Sequence, residues 1–429
     1  MLRLPIENTL DREEKIMAEQ FTTLASLTVD GKGSYGIGAS AVPFSKDLYT
    51  YLRITDIKDD GTLNLQDLKS VDDEKASEYL LKPNDIVFAR TGASTGRNYF
   101  YDGMDGEFVY AGFLIKFSID EKKVNPKYIK YFCQSKRYKD WINSFNTGST
   151  RGNINAQTLG KMPIPLIERT AQDALVSILS SIDEKIKKNN EINNNLFEQI
   201  KTICTAWLSD YKPFDGVMPS DWVETPLSDI AEFISGYSYK GTELTDSTIA
   251  MATIKNFDRK GGFKLDGYKE IIPSSKLKES QHAELFDTLV AHTDLTQNAE
   301  VIGNAEPVMS KSGYDDIVFS MDLVKVLPKK DSVSKFLIAA ILQDKKFKAH
   351  CLGYVNGTTV LHLSKKALPE YKLFLPSDFS TLKPLDEVVT ALYKQVSSNI
   401  SENTYLEELR ASLLPKLMSG ELDVSDIKL

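Results

Sequence analysis

Leu175, Leu179, Ile182, Ile186, Asn189, Asn193, Leu196, Ile200, Ile203 and Trp207 follow one another in steps of four and three. A helix keeps one face toward a partner helix when apolar residues recur every 3.5 positions, so this spacing is a coiled-coil seam. Adding 210 to each number gives Leu385, Val389, Leu392, Val396, Asn399, Asn403, Leu406, Arg410, Leu413 and Leu417, a second seam that repeats both polar interruptions. Only Arg410 breaks the match. Two apolar stripes on one chain must each be covered, and an antiparallel pair covers both. It sets Asn189 against Asn403 and Asn193 against Asn399. A buried amide at a seam position fixes register, because a slipped partner leaves it unpaired in apolar surroundings. The alternative, two separate amphipathic helices with their Asn residues at solvated ends, leaves the shared offset unexplained. At 1.5 Å per residue, residues 175–207 make a rod of about 50 Å.

The chain of 429 residues is too long for a single core and divides at its seams. We expect globular domains at 1–166 and 213–380, and conserved-type coiled-coil helices at 167–212 and 381–429. The expected fold class is a two-lobed α/β (α+β) architecture, with mixed strands and helices in each globe and two long antiparallel helices in pseudo-twofold arrangement. No run approaches the eighteen apolar residues of a membrane span, and the start MLRLPIENTLDREEKI carries acids where a signal peptide needs an apolar stretch. A cytoplasmic protein without membrane association is expected. Cys133, Cys204 and Cys351 are odd in number and far apart, which suits reduced thiols and neither a disulfide framework nor a zinc site. A net charge of -8 argues against strong sequence-independent attraction to nucleic acid, while leaving room for local basic faces.

Taken in order, residues 9–27 read as a charged helix and 30–44 as a Gly-rich surface loop. The glycines of that loop lack the strand-turn-helix setting of a dinucleotide fingerprint. Residues 49–57 (YLRITDI at their end) and 108–117 alternate like strands, and the strand 85–89 opens onto ARTGASTGR. Residues 126–145 form basic and aromatic helical text, and NTGSTRGNIN follows as an exposed loop at 146–155. The second half replays this order. Ile254 and Phe257 stand 200 after Ile54 and Ile57, and Asp287, Ala291, His292 and Thr293 stand 202 after Asp85, Ala89, Arg90 and Thr91. Gly357, Thr359 and His362 stand 209 after Gly148, Thr150 and Asn153. This is a tandem duplication whose globes have diverged more than its rods.

No phosphate loop, HExxH, CxxC or GxSxG is present, nor is the Asp/Asn-Pro-Pro-aromatic run with which amino-methyltransferases stack an adenine. All four histidines, His282, His292, His350 and His362, lie in the second half, whereas catalysis built into a repeat should appear in both. Asp85 with Arg90, or Asp287 with His292, reads as a strand-end turn rather than an acid-base pair.

GKGSYGIGASA at 31–41, YLRITDI at 51–57, NDIVFARTGASTG at 84–96, STRGNINAQTLGKMPIPL at 149–166, ILSSIDEKIKKNNEINNNL at 178–196 and LLPKLMSGELDV at 413–424 occur in an order specific to one family. With these motifs the whole chain resembles the specificity subunits of type I restriction-modification enzymes. The resemblance implies a non-catalytic subunit with two target-recognition domains on double-stranded DNA, docking two adenine-methyltransferase subunits and restriction/translocase subunits. It implies no cofactor on this chain: S-adenosylmethionine belongs to the methyltransferase partner, ATP and Mg to the restriction partner. The second half departs from the pattern, with AHTDLTQNAE in place of ARTGASTG.

A tandem repeat on a common spacer suits a divided, asymmetric target, and a rod of about 50 Å bounds the separation of half-sites at roughly 14 base pairs. Base readout needs paired donors and acceptors, as in Arg to guanine or Asn to adenine. The candidates are Arg90, Thr91, Ser94, Arg97, Thr150, Arg151 and Asn153 in the first half, and Tyr239, Lys240, His292, Lys311, Thr358 and Thr359 in the second. The basic aromatic helix at 127–141 either tracks phosphates or buries its aromatics beneath a solvated Lys face. The rival of another class is a two-lobed coiled-coil adaptor without DNA readout.

Overall fold

A computed structural model describes residues 21–65, 67–145, 153–259, 261–419 and 421–422. The chain divides into two compact units: Met1–Asp183 with Glu408–Leu429, and Glu184–Glu407. Each unit therefore holds one globe and a length of both long helices, Arg169–Leu208 of 40 residues and Lys383–Met418 of 36.

The expected register is present in the second unit. Asn189 donates from Nδ2 to Asn403 Oδ1 at 2.9 Å, and Asn399 donates to Asn193 Oδ1 at 2.8 Å. Residue numbers that rise on one helix and fall on the other make the pair antiparallel. All four amides are buried, and Asn403 completes its bonding to Asn190 Oδ1 at 2.9 Å. Around them Ile200, Leu385, Val389 and Val396 are buried and join the core of the globe. In the first unit Leu175 and Leu179 enter another core with Leu414 and Leu417. Arg410, the mismatch between the seams, has a partner there, donating from Nη1 to Asp183 Oδ1 at 2.8 Å.

Each globe is built on a sheet whose second and third strands are central. In the first unit the order is Ser34–Tyr35, Leu114–Ser118, Asp85–Ala89, Asn98–Tyr101; in the second it is Ala231–Ser235, Leu323–Pro328, Thr288–Ala291, Ala305–Pro307. Every residue of Asp85–Ala89 and of Thr288–Ala291 is buried, as continuous apolar runs require. A second sheet repeats as well, with Tyr49–Leu52 parallel to Phe108–Tyr110 and Ile249–Ala252 parallel to Asp316–Phe319. Phe21–Thr23 pairs with Pro163–Pro165, and Trp222–Pro226 with Lys372–Pro376. At Gly36 and Gly236 the chain passes so close to the carbonyls of Tyr110 and Ser320 that a β-carbon would collide with each.

Five sequence expectations need correction. The strand at 49–57 ends at Leu52, because the Asp56 carboxylate accepts from Arg53 N at 2.8 Å and closes a turn; Asn256 does the same for Thr253 N at 2.8 Å, ending the strand at Ala252. Ile57 and Phe257 are buried past these turns, which explains their strand-like alternation. The text at 108–117 is two strands joined by a turn at 111–113, and that at 126–145 is two helices, Pro126–Phe132 and Lys136–Asn143, the second capped by Ser135. Residues 21–27 form the strand Phe21–Thr23 and the short 3-10 turn Ala25–Leu27 rather than the end of a helix; residues 9–20 lie outside the described ones. The Gly-rich stretch contributes the short strands Ser34–Tyr35 and Ala41–Pro43.

Candidate nucleic-acid interface

The strand Asp85–Ala89 delivers Arg90 into a small backbone frame. Arg90 N donates to Phe113 O at 3.1 Å, Arg90 O accepts from Ile154 N at 2.9 Å, and Thr91 forms an isolated bridge with Asn153. Gly96 N returns to Ala89 O at 2.9 Å and closes the loop. The second unit repeats these bonds: His292 N to Asp322 O at 2.8 Å, Leu363 N to His292 O at 2.8 Å, Thr293 opposite His362, and Gly303 N to Ala291 O at 2.9 Å. Both closing glycines have positive φ, 89° and 74°, and a β-carbon would strike Ile142 at the first and Cys351 at the second. One backbone thus carries Arg, Thr and Asn in one globe and His, Thr and His in the other.

Arg90 is half-buried. Its Nη2 donates to Asn153 Oδ1 at 3.3 Å, its Cζ lies 5.1 Å from the centre of the Tyr35 ring, and its Nε is buried without a partner among the described residues. Tyr35 was not among the candidates; its position in Gly-rich text concealed an edge-strand residue whose hydroxyl accepts from Ala156 N at 3.1 Å. Thr91 is half-buried and Ser94 buried. Arg97 is held by Asp59, Nε to Oδ1 at 2.7 Å, and donates to Ile57 O at 3.3 Å, so it is drawn away from Arg90 and Asn153. Thr150 and Arg151 lie outside the described residues.

In the second unit His292 is half-buried, and burial, then the charges of His362 and Lys365, hold its imidazole below the ordinary histidine value. His362 is exposed on the strand Leu361–Leu363. Thr358 and Thr359 are exposed, and their carbonyls accept from Gln297 Nε2 at 2.5 and 3.4 Å. Tyr239 instead packs against a cluster of Tyr237, Met251, Ile271 and Val318. Lys240 is exposed and its N–H bonds Glu243 Oε2 at 2.7 Å, while Lys311 faces Glu284 at 3.7 Å. None of these contacts involves His292, Thr293 or His362.

The buried carboxylates beside the frames brace the sheet. Asp85 accepts from Lys82 N at 2.8 Å and Ser118 Oγ at 2.6 Å, with Lys116 at 3.2 Å; Asp287 accepts from Glu284 N at 3.0 Å and faces Lys325 at 3.4 Å and Lys335 at 2.5 Å. On the basic aromatic helices Tyr128, Tyr131 and Tyr138 are buried and Lys130 turns to Asp183, so packing accounts for them. All three cysteines are buried free thiols; burial pushes Cys204 and Cys351 up to about 12, which makes them poor nucleophiles. Among the described residues no group of three or more His, Cys, Asp or Glu could hold a metal ion, and no helix is long and apolar enough to cross a membrane.

Residues 45–198 match the type I restriction modification DNA specificity domain. The chain is similar to the type I restriction enzyme MjaIX specificity subunit of Methanocaldococcus jannaschii, 21% identical over 332 residues and covering 72% of each chain. It is also similar to the HindI specificity subunit of Haemophilus influenzae, 20% identical over 406 residues, covering 80% of this chain and 87% of that one. In fold it resembles the crystal structure of a type I restriction-modification S subunit from M. genitalium, with a TM-score of 0.51 at 18% identity, covering 94% of this chain and 97% of the other.

Proposed function

We propose that the chain is a specificity subunit of a type I restriction-modification system and that its two globes each read one half of a divided, asymmetric duplex-DNA target, a reading the matching domain and relatives support. The chain is a non-catalytic subunit concerned with DNA sequence recognition, within an assembly that methylates and restricts. The observation that carries the finer reading is the duplicated backbone frame with diverged side chains, Arg90, Thr91 and Asn153 against His292, Thr293 and His362. A conserved scaffold presenting different donors and acceptors suits two half-sites of different sequence.

The domains at 1–166 and 213–380 are the proposed readers, and the helices at 167–212 and 381–429 the spacer between them. Amide layers that fix one register support a spacer of constant length. The paired helices also offer polar outer faces on which two adenine-methyltransferase subunits can dock, with restriction subunits added to them. S-adenosylmethionine is assigned to the methyltransferase, which must flip its adenine out of the stack, and ATP and Mg to the restriction partner. An acidic chain that leans on partners for phosphate contact should bind DNA weakly alone and specifically in complex.

Exchanging residues 213–380 for the corresponding stretch of another family member, then mapping methylated adenines genome-wide, tests this reading. One half of the methylated motif should change and the other remain. A change in both halves would contradict it.

A further inference from the structure

The Arg90 guanidinium is restrained more than a surface arginine needs to be. Its Cζ lies over the Tyr35 ring, 5.1 Å from the ring centre, and one terminal nitrogen is tied to Asn153 Oδ1 at 3.3 Å. Tyr35 is itself fixed: its strand pairs with Leu114–Ser118, opposite Ile115, and its hydroxyl is bonded to Ala156 N at 3.1 Å. Asn153 is fixed through the Thr91 bridge and the Ile154 N to Arg90 O bond of 2.9 Å. Nε is buried, without a partner among the described residues. With Nε enclosed, the terminal Nη1/Nη2 fork is the edge left for another molecule.

We propose that Arg90 reads a guanine in the half-site addressed by the first globe, and that Tyr35, beneath its guanidinium, is the positioning residue. The inference rests on the DNA-reading function proposed above. A fork held in place matches the O6 and N7 acceptors of guanine in the major groove; it matches two phosphate oxygens as well, and base discrimination separates the two. The second globe cannot copy the device: Ser235 stands 200 residues after Tyr35, on the corresponding edge strand, with His292 and His362 in the frame.

The test uses the full chain assembled with its methyltransferase. Binding is measured by competition on duplexes carrying the mapped methylation motif and every single-base variant of it. Wild type should prefer guanine at one position of the first half-site by about 5-fold to 150-fold, the range of a good bidentate pair. Arg90→Lys keeps the charge and should abolish that preference while leaving the other positions and the salt dependence unchanged. Tyr35→Phe keeps the ring and should retain the preference, while Tyr35→Leu should reduce it several-fold at that position alone. If Tyr35→Leu disrupts the globe, all first-half positions weaken together and Arg90→Lys with Tyr35→Phe still decides. Equal weakening on every duplex with Arg90→Lys, or a salt slope lower by about one with Arg90→Ala, would make Arg90 a phosphate contact and overturn the proposal. A wild-type complex that discriminates nowhere in the first half-site would instead defeat the underlying reading.

Discussion

Asp183 and Tyr393 stand 210 residues apart, each one residue past its seam position, Ile182 and Leu392, yet each globe meets its helix through opposite chemistry. In the first unit the Asp183 carboxylate accepts from Lys130 Nζ at 2.9 Å, Tyr131 OH at 2.9 Å and Arg410 Nη1 at 2.8 Å. In the second unit Tyr393 is fully buried, its ring centre 6.4 Å from Phe197 and 6.1 Å from Phe336, with only its hydroxyl bonded, to Gln343 at 2.8 Å. Ile200 occupies the seam position equivalent to Arg410, and alanines 339 and 340 stand 209 residues after Lys130 and Tyr131. The duplication preserved the spacing of the rods and replaced the joints. One joint demands a matching charge and the other a matching volume, so neither globe suits the other's helix segment.

The largest effect should come from breaking the ionic joint. The Asp183 side chain is only 18% exposed, so Asp183→Ala leaves Lys130 and Arg410 poorly compensated and should lower first-unit stability by about 3–5 kcal/mol. Calorimetric unfolding reads this as a drop in one transition. Adding Arg410→Ile, the residue of the second seam, should restore part of the loss, because it removes one of the two cations left without the carboxylate while Lys130, 28% exposed, remains. If the double variant is no better than the single, the joint is not ionic in its energetics.

The two units should also respond to pH in opposite directions. Burial pushes the Asp183 carboxyl up, but Lys130 and Arg410 outweigh it and hold it below the ordinary aspartate value. A depressed folded value means stability present above the ordinary range and lost as acid titrates the group. Glu306 lies in the strand Ala305–Pro307 of the second unit, and burial raises it to about 7 despite hydrogen bonds from Gly262 N and Gln343. A raised value reverses the sign: that contribution is intact below the ordinary glutamate value and fades as pH rises through about 7. At one pKa unit per roughly 1.4 kcal/mol, Glu306→Gln should stabilise the second unit at pH 8 by about 2–3 kcal/mol and have little effect at pH 4. Two calorimetric transitions that shift together with pH would remove the contrast.

The rods were legible because a 3.5-residue period is local information, and the Asn layers because a buried amide has few partners other than an amide. The positions of the two frames were legible as well, since Asp85, Arg90 and Asn153 recur as Asp287, His292 and His362. What the sequence could not display was which polar residue is already occupied. Arg97 and Arg90 share one loop and one residue type, and only the fold shows that Asp59, 38 positions earlier, takes Arg97 while Tyr35 receives Arg90. The strand ends were hidden for the same reason, because a side-chain cap such as Asp56 on Arg53 N looks like strand alternation until the turn exists. Lys130 likewise resembled one of several phosphate-facing lysines, and its bond to Asp183 spans 53 positions.

The smallest effect separates two sources of register in the second unit. Asn189→Ala should cost about 1–2 kcal/mol, since Asn403 Oδ1 loses its buried donor while Asn403 Nδ2 keeps its bond to Asn190 Oδ1 at 2.9 Å. Replacing the layer as Asn189→Leu with Asn403→Leu makes the seam continuous, and should raise stability by about 1 kcal/mol while relaxing register, as loss of a polar seam residue does in coiled coils. If the amides set the spacing of the half-sites, the double variant with its methyltransferase should yield methylated motifs with more than one gap length. A single unchanged gap would assign register to the packing of Leu385, Val389 and Tyr393 against the globe, where those residues are completely buried. The amides would then act on orientation during folding and the aromatic joint on length in the folded protein.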